Sequence, residues 1–400
     1  MSSSKMQKFC PTLPAAQNNN PQGNGGMAQD IVSFKDDIVS HLLVHNTYTR
    51  LKDLYEEELR DAWVEKIEPV KHIQEDLAVA AFLIELWRTM YGAVPEAKTT
   101  EQNTISRFPG FVDIACGNGV VVYVLLMEGY SGCGYDARRR QTWGIFPSSV
   151  QERLLEKAYI PKPFADTGYI ANVRTDIHTG DFPPGTFIIS NHADELTLWT
   201  PLMASLACPV SPLPFLAIPC CSHSLSGSSY RFPAPNKSSG KSENKPTKAD
   251  DDVIDQNPQP ASGDLRALRA AKAKEKTAEG ILDSMYGSLA AKTMQIAQEV
   301  GYDVESTQLQ LLSTRNIGIV GGRQLVARER RGESRDESPA PASVDPQSDC
   351  SSKLARQIQD IVERECTRDG GIHVAARTWI ERALSLHRAT RMVNLHPVCE

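Results

Sequence analysis

The feature that most constrains this chain is an acidic residue inside an apolar run that ends in a glycine turn, Phe111-Val-Asp-Ile-Ala-Cys-Gly-Asn-Gly119. Residues 111–114 predict a buried strand, and the apolar run 120–127 predicts the helix that follows it. A strand that feeds a helix through glycines puts free backbone N–H groups at the mouth of the helix. The partial positive charge there favours an anionic group, such as the carboxylate of a bound aminoacyl moiety, and glycine removes the Cβ atoms that would block its approach. Residues 132–136, Gly-Cys-Gly-Tyr-Asp, predict the next strand, so the order strand, helix, strand opens a parallel α/β unit. Asp136 ends that strand, where an acid accepts hydrogen bonds from both hydroxyls of a ribose. A dinucleotide fingerprint requires a third glycine where Val122 stands, which disfavours NAD.

The rest of the chain extends this unit. Apolar spacing over residues 51–91 predicts two helices split near Pro69, and residues 186–190 predict a second buried strand. That strand is followed by Asn191-His-Ala-Asp-Glu195 and a helical pattern through Leu196, Leu198, Trp199, Leu202 and Leu206. Residues 209–218 read as a further strand interrupted by prolines, ending at Pro219-Cys220-Cys221. A Ser-, Lys-, Asp- and Pro-rich stretch, about 222–279, carries too little apolar surface to offset its ordering entropy and reads as a disordered insertion. A helix over about 281–300 and extended segments 306–312 and 316–320 suit a terminal antiparallel hairpin. The expected division is a disordered tail 1–30, an α/β domain 31–323 with a mostly parallel sheet, a linker 324–352 and a helical C-terminal segment 353–400 of unassigned role.

Composition sets limits on function. With 43 basic against 49 acidic side chains, net charge −6, the chain lacks the basic balance of an obligate nucleic-acid binder, so any RNA site must be a local patch. Arg138, Arg139 and Arg140 are one such patch, or an ordinary solvated face. No apolar run has the length of a membrane span, and the expectation is a soluble cytoplasmic protein. The nine cysteines include no C-x-x-C pair, so neither a metal nor a disulfide framework is expected. Cys220 and Cys221 read as pocket or core residues, with His223 as a neighbour for a substrate group. Trp143 packs on an adenine or plugs the core.

Several motifs occur together: Glu75-Asp-Leu-Ala-Val-Ala-Ala81, residues 111–119, Glu128-Gly-Tyr-Ser-Gly-Cys-Gly-Tyr-Asp-Ala-Arg-Arg-Arg140, Asn191-His-Ala-Asp-Glu-Leu196, Ile218-Pro-Cys-Cys-Ser-His223 and Leu312-Ser-Thr-Arg-Asn-Ile-Gly-Ile-Val-Gly321. As a set, covering residues 54–322 apart from the insertion, they resemble the eukaryotic tRNA (uracil-2′-O)-methyltransferases that act on serine tRNAs. The resemblance implies a class I, Rossmann-like S-adenosylmethionine-dependent methyltransferase modifying a uridine ribose, uridine 44 of serine tRNAs. It places Asp113, Gly117 and Gly119 around the methionine part of the cofactor and Asp136 on its ribose, with Cys116, Asn118 and Asn191 in the same set and Asp176 or Asp181 near the adenine. Asp194 and His192 are then the candidates to accept the proton of the acceptor hydroxyl. The competing reading makes Asn191 or Asp194 a helix cap, supported by Glu195. Two rival functions are a methyltransferase with a protein or small-molecule acceptor, and a noncatalytic RNA- or nucleotide-binding module.

Overall fold

The computed structural model describes residues 38–93, 108–172, 176–233, 284–311, 315–332 and 346–393. The chain opens with two helices, α1 (His41–Asp61) and α2 (Pro69–Tyr91). Their division at Pro69 follows from local chemistry. Proline at the first helical position lacks only an N–H that has no partner there, and the Glu68 side chain accepts hydrogen bonds from Val70 N and Lys71 N at 3.1 Å each. Helix α1 starts ahead of the expected Leu51, because its first turns expose Leu42 and Leu43 and show no clear apolar stripe. Helix α2 is buried on most of its circumference, and its Trp87 ring meets Phe108, Phe111, Tyr130 and Phe187 at centroid distances of 4.6–5.5 Å. That aromatic cluster fixes α2 against the sheet.

The strands are β1 (Phe111–Ile114), β2 (Gly132–Asp136), β3 (Leu154–Glu156), β4 (Ala158–Tyr159), β5 (Ile177–His178), β6 (Phe187–Asn191), β7 (Phe215–Ile218), β8 (Val304–Gln308) and β9 (Ile317–Gly321). Seven of them form one sheet in the order β3-β2-β1-β6-β7-β9-β8, with β9 antiparallel to both neighbours and the other pairings parallel. Strands β4 and β5 pair separately, in parallel. The helices of eight or more residues after α2 are α3 (Val120–Met127), α4 (Leu196–Ala207), α5 (Met285–Glu299), α6 (Arg323–Arg331), α7 (Pro346–Thr367) and α8 (Ile372–Val393). This is the expected Rossmann-like α/β fold with its terminal antiparallel hairpin. Among the described residues no helix is long and apolar enough to cross a membrane.

Three expectations change. Strand β7 is confined to Phe215–Ile218 instead of 209–218, because Pro209, Pro212 and Pro214 remove the backbone donors that pairing needs. Residues 222–233, assigned by composition to the insertion, are packed: Leu225 and Phe232 are buried, and the Arg368 guanidinium lies 4.6 and 5.0 Å from the Tyr230 and Phe232 ring centroids. Residues 324–352 are not simply a linker, since 323–331 form α6 and α7 begins at Pro346. The tail 1–30 and residues 234–279 lie outside the described residues. The C-terminal helices join the core, with Ile358, Ile361, Val362, Trp379 and Ile380 buried beside Phe164 and Trp199.

Candidate active site

Between β1 and β6 the chain changes direction, continuing to β2 on one side and to β7 on the other. In such a sheet the crevice for a ligand opens outside the carboxyl ends of those two strands. A cavity of about 350 Å³ lies there, and its walls include Asp76, Asp113, Gly117, Asp136, Asn191 and Asp194.

The floor is the glycine turn. Ala115, Gly117 and Gly119 all have left-handed backbone (φ 58°, 53° and 79°), which turns the chain sharply between β1 and α3. A Cβ built on Gly117 meets no atom within 4 Å, so the glycine leaves open the space a ligand's polar end needs. Trp143 is fully buried and donates from Nε1 to Gly117 O at 2.8 Å, while Thr142 Oγ1 donates to Asn118 O at 2.7 Å. Trp143 therefore plugs the core and braces the turn; it is not an adenine platform. Asn118 accepts from Val120 N at 2.8 Å, doing the capping that Gly119 lacks a side chain to do, and donates to Asp76 Oδ2 at 2.7 Å. Asp136, at the end of β2, accepts from Gly117 N and Arg138 N, both at 2.9 Å. The buried Cys116 contributes its backbone N–H to Tyr135 O, and burial pushes its thiol far up from the ordinary range.

Asp76, Asp113 and Asp136 thus crowd one cavity. Asp113 is 1% exposed, its Oδ1 has no hydrogen-bond partner, and burial, then Asp76 and Asp136, raise its carboxyl well above the usual range. Burial pushes Asp76 up to about 7, against the opposing hydrogen bond from Asn118. A cation in the cavity would relieve both groups, so the residues fit a ligand that carries positive charge beside a carboxylate, as the aminoacyl sulfonium S-adenosylmethionine does.

This predicts a pH signature. Because the folded-state value of Asp76 is about 7 against an ordinary 3.8, its contribution to stability is present below pH 3.8 and is lost as pH rises through 7. A cationic ligand offsets that loss. The rise in Tm caused by saturating S-adenosylmethionine should therefore be larger at pH 8 than at pH 6, and Asp76→Asn should flatten the difference. Equal shifts at both pH values in the wild-type chain would remove Asp76 from the ligand's surroundings.

The opposite wall follows β6. His192 and Asp194 are left-handed non-glycine residues (φ 53° and 45°), which throw the loop 192–195 outward before α4 begins. Helix α4 has no side-chain cap, and its first turns are tied by backbone bonds, Leu196 N to Ala193 O and Thr197 N to Asp194 O. The capping reading of Asn191 and Asp194 is thereby replaced. The Asp194 carboxylate instead faces Cys220, whose Sγ donates to Oδ1 at 3.3 Å, and His223, whose Nδ1 is 3.7 Å from the same oxygen. Burial, then Arg315, lowers the His192 imidazole, favouring its neutral form. Asn191 Oδ1, His192 Nδ1, Glu195 Oε2 and His223 Nδ1 are buried without a hydrogen-bond partner.

Arg138 and Arg140 line the cavity, whereas Arg139 turns to Gln151 and the Trp143 ring. Asp176 and Asp181 are exposed and are not among the residues that line the cavity, whose walls include Lys157 and Tyr159. Among the wall residues the sequence reading missed are Asp76, Trp379 and Arg382. Asp76 carries a signal in its spacing, since it follows Ile73 by three on the buried stripe of α2 and places a charge where an apolar residue belongs. Trp379 and Arg382 come from α8, with Arg382 Nε 3.2 Å from Glu195 Oε1, and nothing in their local pattern marks them.

Residues 38–161 match a family model described as "Predicted AdoMet-dependent methyltransferase". The chain is 52% identical to the tRNA (uracil-O(2)-)-methyltransferase of Aspergillus oryzae over 91% of its own length and 58% of that protein. Proteins of the same name from Neurospora crassa and Saccharomyces cerevisiae are 39% and 32% identical, each over 72% of this chain and over 47% and 48% of their own lengths. The chain spans about half the length of the curated relatives it matches. Strand order, glycine turn and family match agree on a Rossmann-like fold of the AdoMet-dependent methyltransferase type, in a chain similar over most of its length to the tRNA (uracil-O(2)-)-methyltransferases.

Proposed function

We propose that this chain is an S-adenosylmethionine-dependent tRNA 2′-O-methyltransferase that acts in the cytoplasm on a uridine ribose, uridine 44 of serine tRNAs. The observation that carries the reading is one cavity with an acidic, cation-seeking wall on the β1–β2 side and a polar, unpartnered wall on the β6–β7 side. S-adenosylmethionine, when bound, supplies an electrophilic methyl group on a positively charged sulfur.

The chain's own residues supply the rest. Asp76 and Asp113 face the ligand's positive charge, Gly117 admits its carboxylate, and Cys116 and Asn118 hold the turn's shape. Gly119 completes the entry to α3. Asp136 keeps lone pairs for the two ribose hydroxyls beyond the two backbone bonds it accepts, and Asn191 Oδ1 is free to accept a further donor. On the acceptor side Asp194 takes the proton of the 2′-hydroxyl, and the neutral His192 aligns that hydroxyl or replaces Asp194 as acceptor. Arg138 and Arg140 meet RNA phosphates at the rim.

Asp136→Ala should weaken cofactor binding by about 1.5–3 kcal/mol, roughly ten- to hundredfold, because charge-assisted hydrogen bonds are lost. Titration calorimetry on the folded variant checks this, and unchanged affinity would take Asp136 out of the site. The whole reading is tested by mass spectrometry of ribose methylation in tRNA from cells lacking the protein, paired with methylation of that tRNA by the purified chain. Loss of 2′-O-methyluridine at position 44 of serine tRNAs, restored in vitro, is the expected result. Intact tRNA methylation in those cells would point to a protein or small-molecule acceptor, and cofactor binding without any turnover to a noncatalytic module.

A further inference from the structure

The parallel strands β6 and β7 run in register with Asn191 opposite Ile218, so the loops that leave their carboxyl ends lie side by side. Asp194 comes from the first loop and Cys220, Cys221 and His223 from the second. The ligating atoms of Asp194, Cys220 and Cys221 all lie within 4.8 Å of one another, as do those of Asp194, Glu195 and His223. We propose that Cys220, Cys221 and Asp194 Oδ1 form a zinc site on the acceptor side of the cavity, three protein ligands with the fourth position open.

The donor set decides the class of ion. Two sulfurs and one carboxylate oxygen suit zinc, whereas magnesium and calcium demand oxygens. Spacing agrees: the edges of a tetrahedron with zinc–ligand bonds of about 2.0–2.3 Å are roughly 3.3–3.8 Å long. Asp194 Oδ1 lies 3.3 Å from Cys220 Sγ, and Cys221 completes a set whose ligating atoms are all within 4.8 Å of one another. His223 groups with Asp194 and Glu195 and with neither cysteine, so it stands outside the set. Arg315 Nη1 stands 2.9 Å from Cys221 Sγ, where it would act as the outer donor that stabilises a metal-bound thiolate. Glu195 is not needed in the set, because Arg382 engages its Oε1.

Binding through Oδ1 leaves Asp194 Oδ2 directed to the acceptor hydroxyl, so the ion fixes the carboxylate that the proposed methyl transfer uses. Only this consequence rests on the methyltransferase reading; the zinc site itself does not. Its ligands escape a search for C-x-x-C pairs because two cysteines are adjacent and the aspartate arrives from a different strand.

The test uses the full chain, purified without a polyhistidine tag and dialysed against zinc and then against metal-free buffer. Elemental analysis should give about one zinc per chain, lost in Cys220→Ser/Cys221→Ser but retained in Cys208→Ser. Replacing zinc by cobalt should give tetrahedral visible bands and a thiolate-to-cobalt absorption in the near ultraviolet. If the double cysteine variant fails to fold, the cobalt spectrum of the wild-type chain decides alone. A folded wild-type chain with no zinc and no thiolate–cobalt band, or zinc retained by the double cysteine variant, overturns the site. Cofactor affinity measured on the same samples separates the two readings, since zinc held by a chain that binds no S-adenosylmethionine would sink the methyltransferase reading and leave this one standing.

Discussion

Asp194→Asn should bind S-adenosylmethionine and tRNA as the wild-type chain does and lose turnover by about 10²–10⁴-fold, the range that removal of a general base produces. The amide preserves size and hydrogen-bonding reach but does not accept the proton of a ribose hydroxyl. Asp194→Ala should be similarly inactive. The comparison is clean because α4 carries no side-chain cap, so neither substitution removes a bond that starts the helix. Single-turnover methylation with saturating cofactor and tRNA reads the chemistry, and thermal melts of both variants expose unfolding as a trivial cause. Near wild-type turnover in the folded Asn variant would end the general-base role and pass it to His192. That histidine is suited to the task by burial, which keeps its imidazole neutral. His192→Gln would then be the decisive variant.

What the sequence made legible here is what local periodicity encodes. The strand 111–114, its glycine turn and the helix 120–127 are found where the pattern puts them, because an apolar run bounded by glycines has few other ways to bury itself. Asp136 was readable for the same reason, since a carboxylate ending a buried strand must emerge at the sheet's carboxyl edge. Contacts between distant segments were not legible. Asn118 binds Asp76 across 42 positions, and Cys220 reaches Asp194 across 26, and no spacing rule joins them. Composition misled over 222–233, where polar residues surround Leu225 and Phe232; two buried side chains are enough to dock a short segment without changing its average hydropathy.

The C-terminal helices give the other large effect. Trp379 is 3% exposed, its ring centroid lies 5.6 Å from both Phe164 and Trp199, and its Nε1 donates to Tyr159 O at 2.8 Å. Trp379→Ala should therefore destabilise the chain by about 3–5 kcal/mol, the usual cost of deleting a large buried aromatic side chain. Because Trp379 also stands in the cavity wall, the variant should bind S-adenosylmethionine more weakly even where it remains folded. Trp379→Phe keeps most of the packing and loses only the bond to Tyr159, so about 0.5–1.5 kcal/mol is expected. Urea unfolding of the three proteins orders them wild type, Phe, Ala if α8 docks as described. Arg382→Ala, which frees Glu195 without opening the aromatic cluster, should leave the unfolding midpoint nearly unchanged and impair the acceptor side instead. An Ala variant at 379 that unfolds like the wild-type chain would mean that α8 does not close the cavity. The wall formed by Trp379 and Arg382 would then have to come from elsewhere, and Glu195 would lose the cation paired with its Oε1.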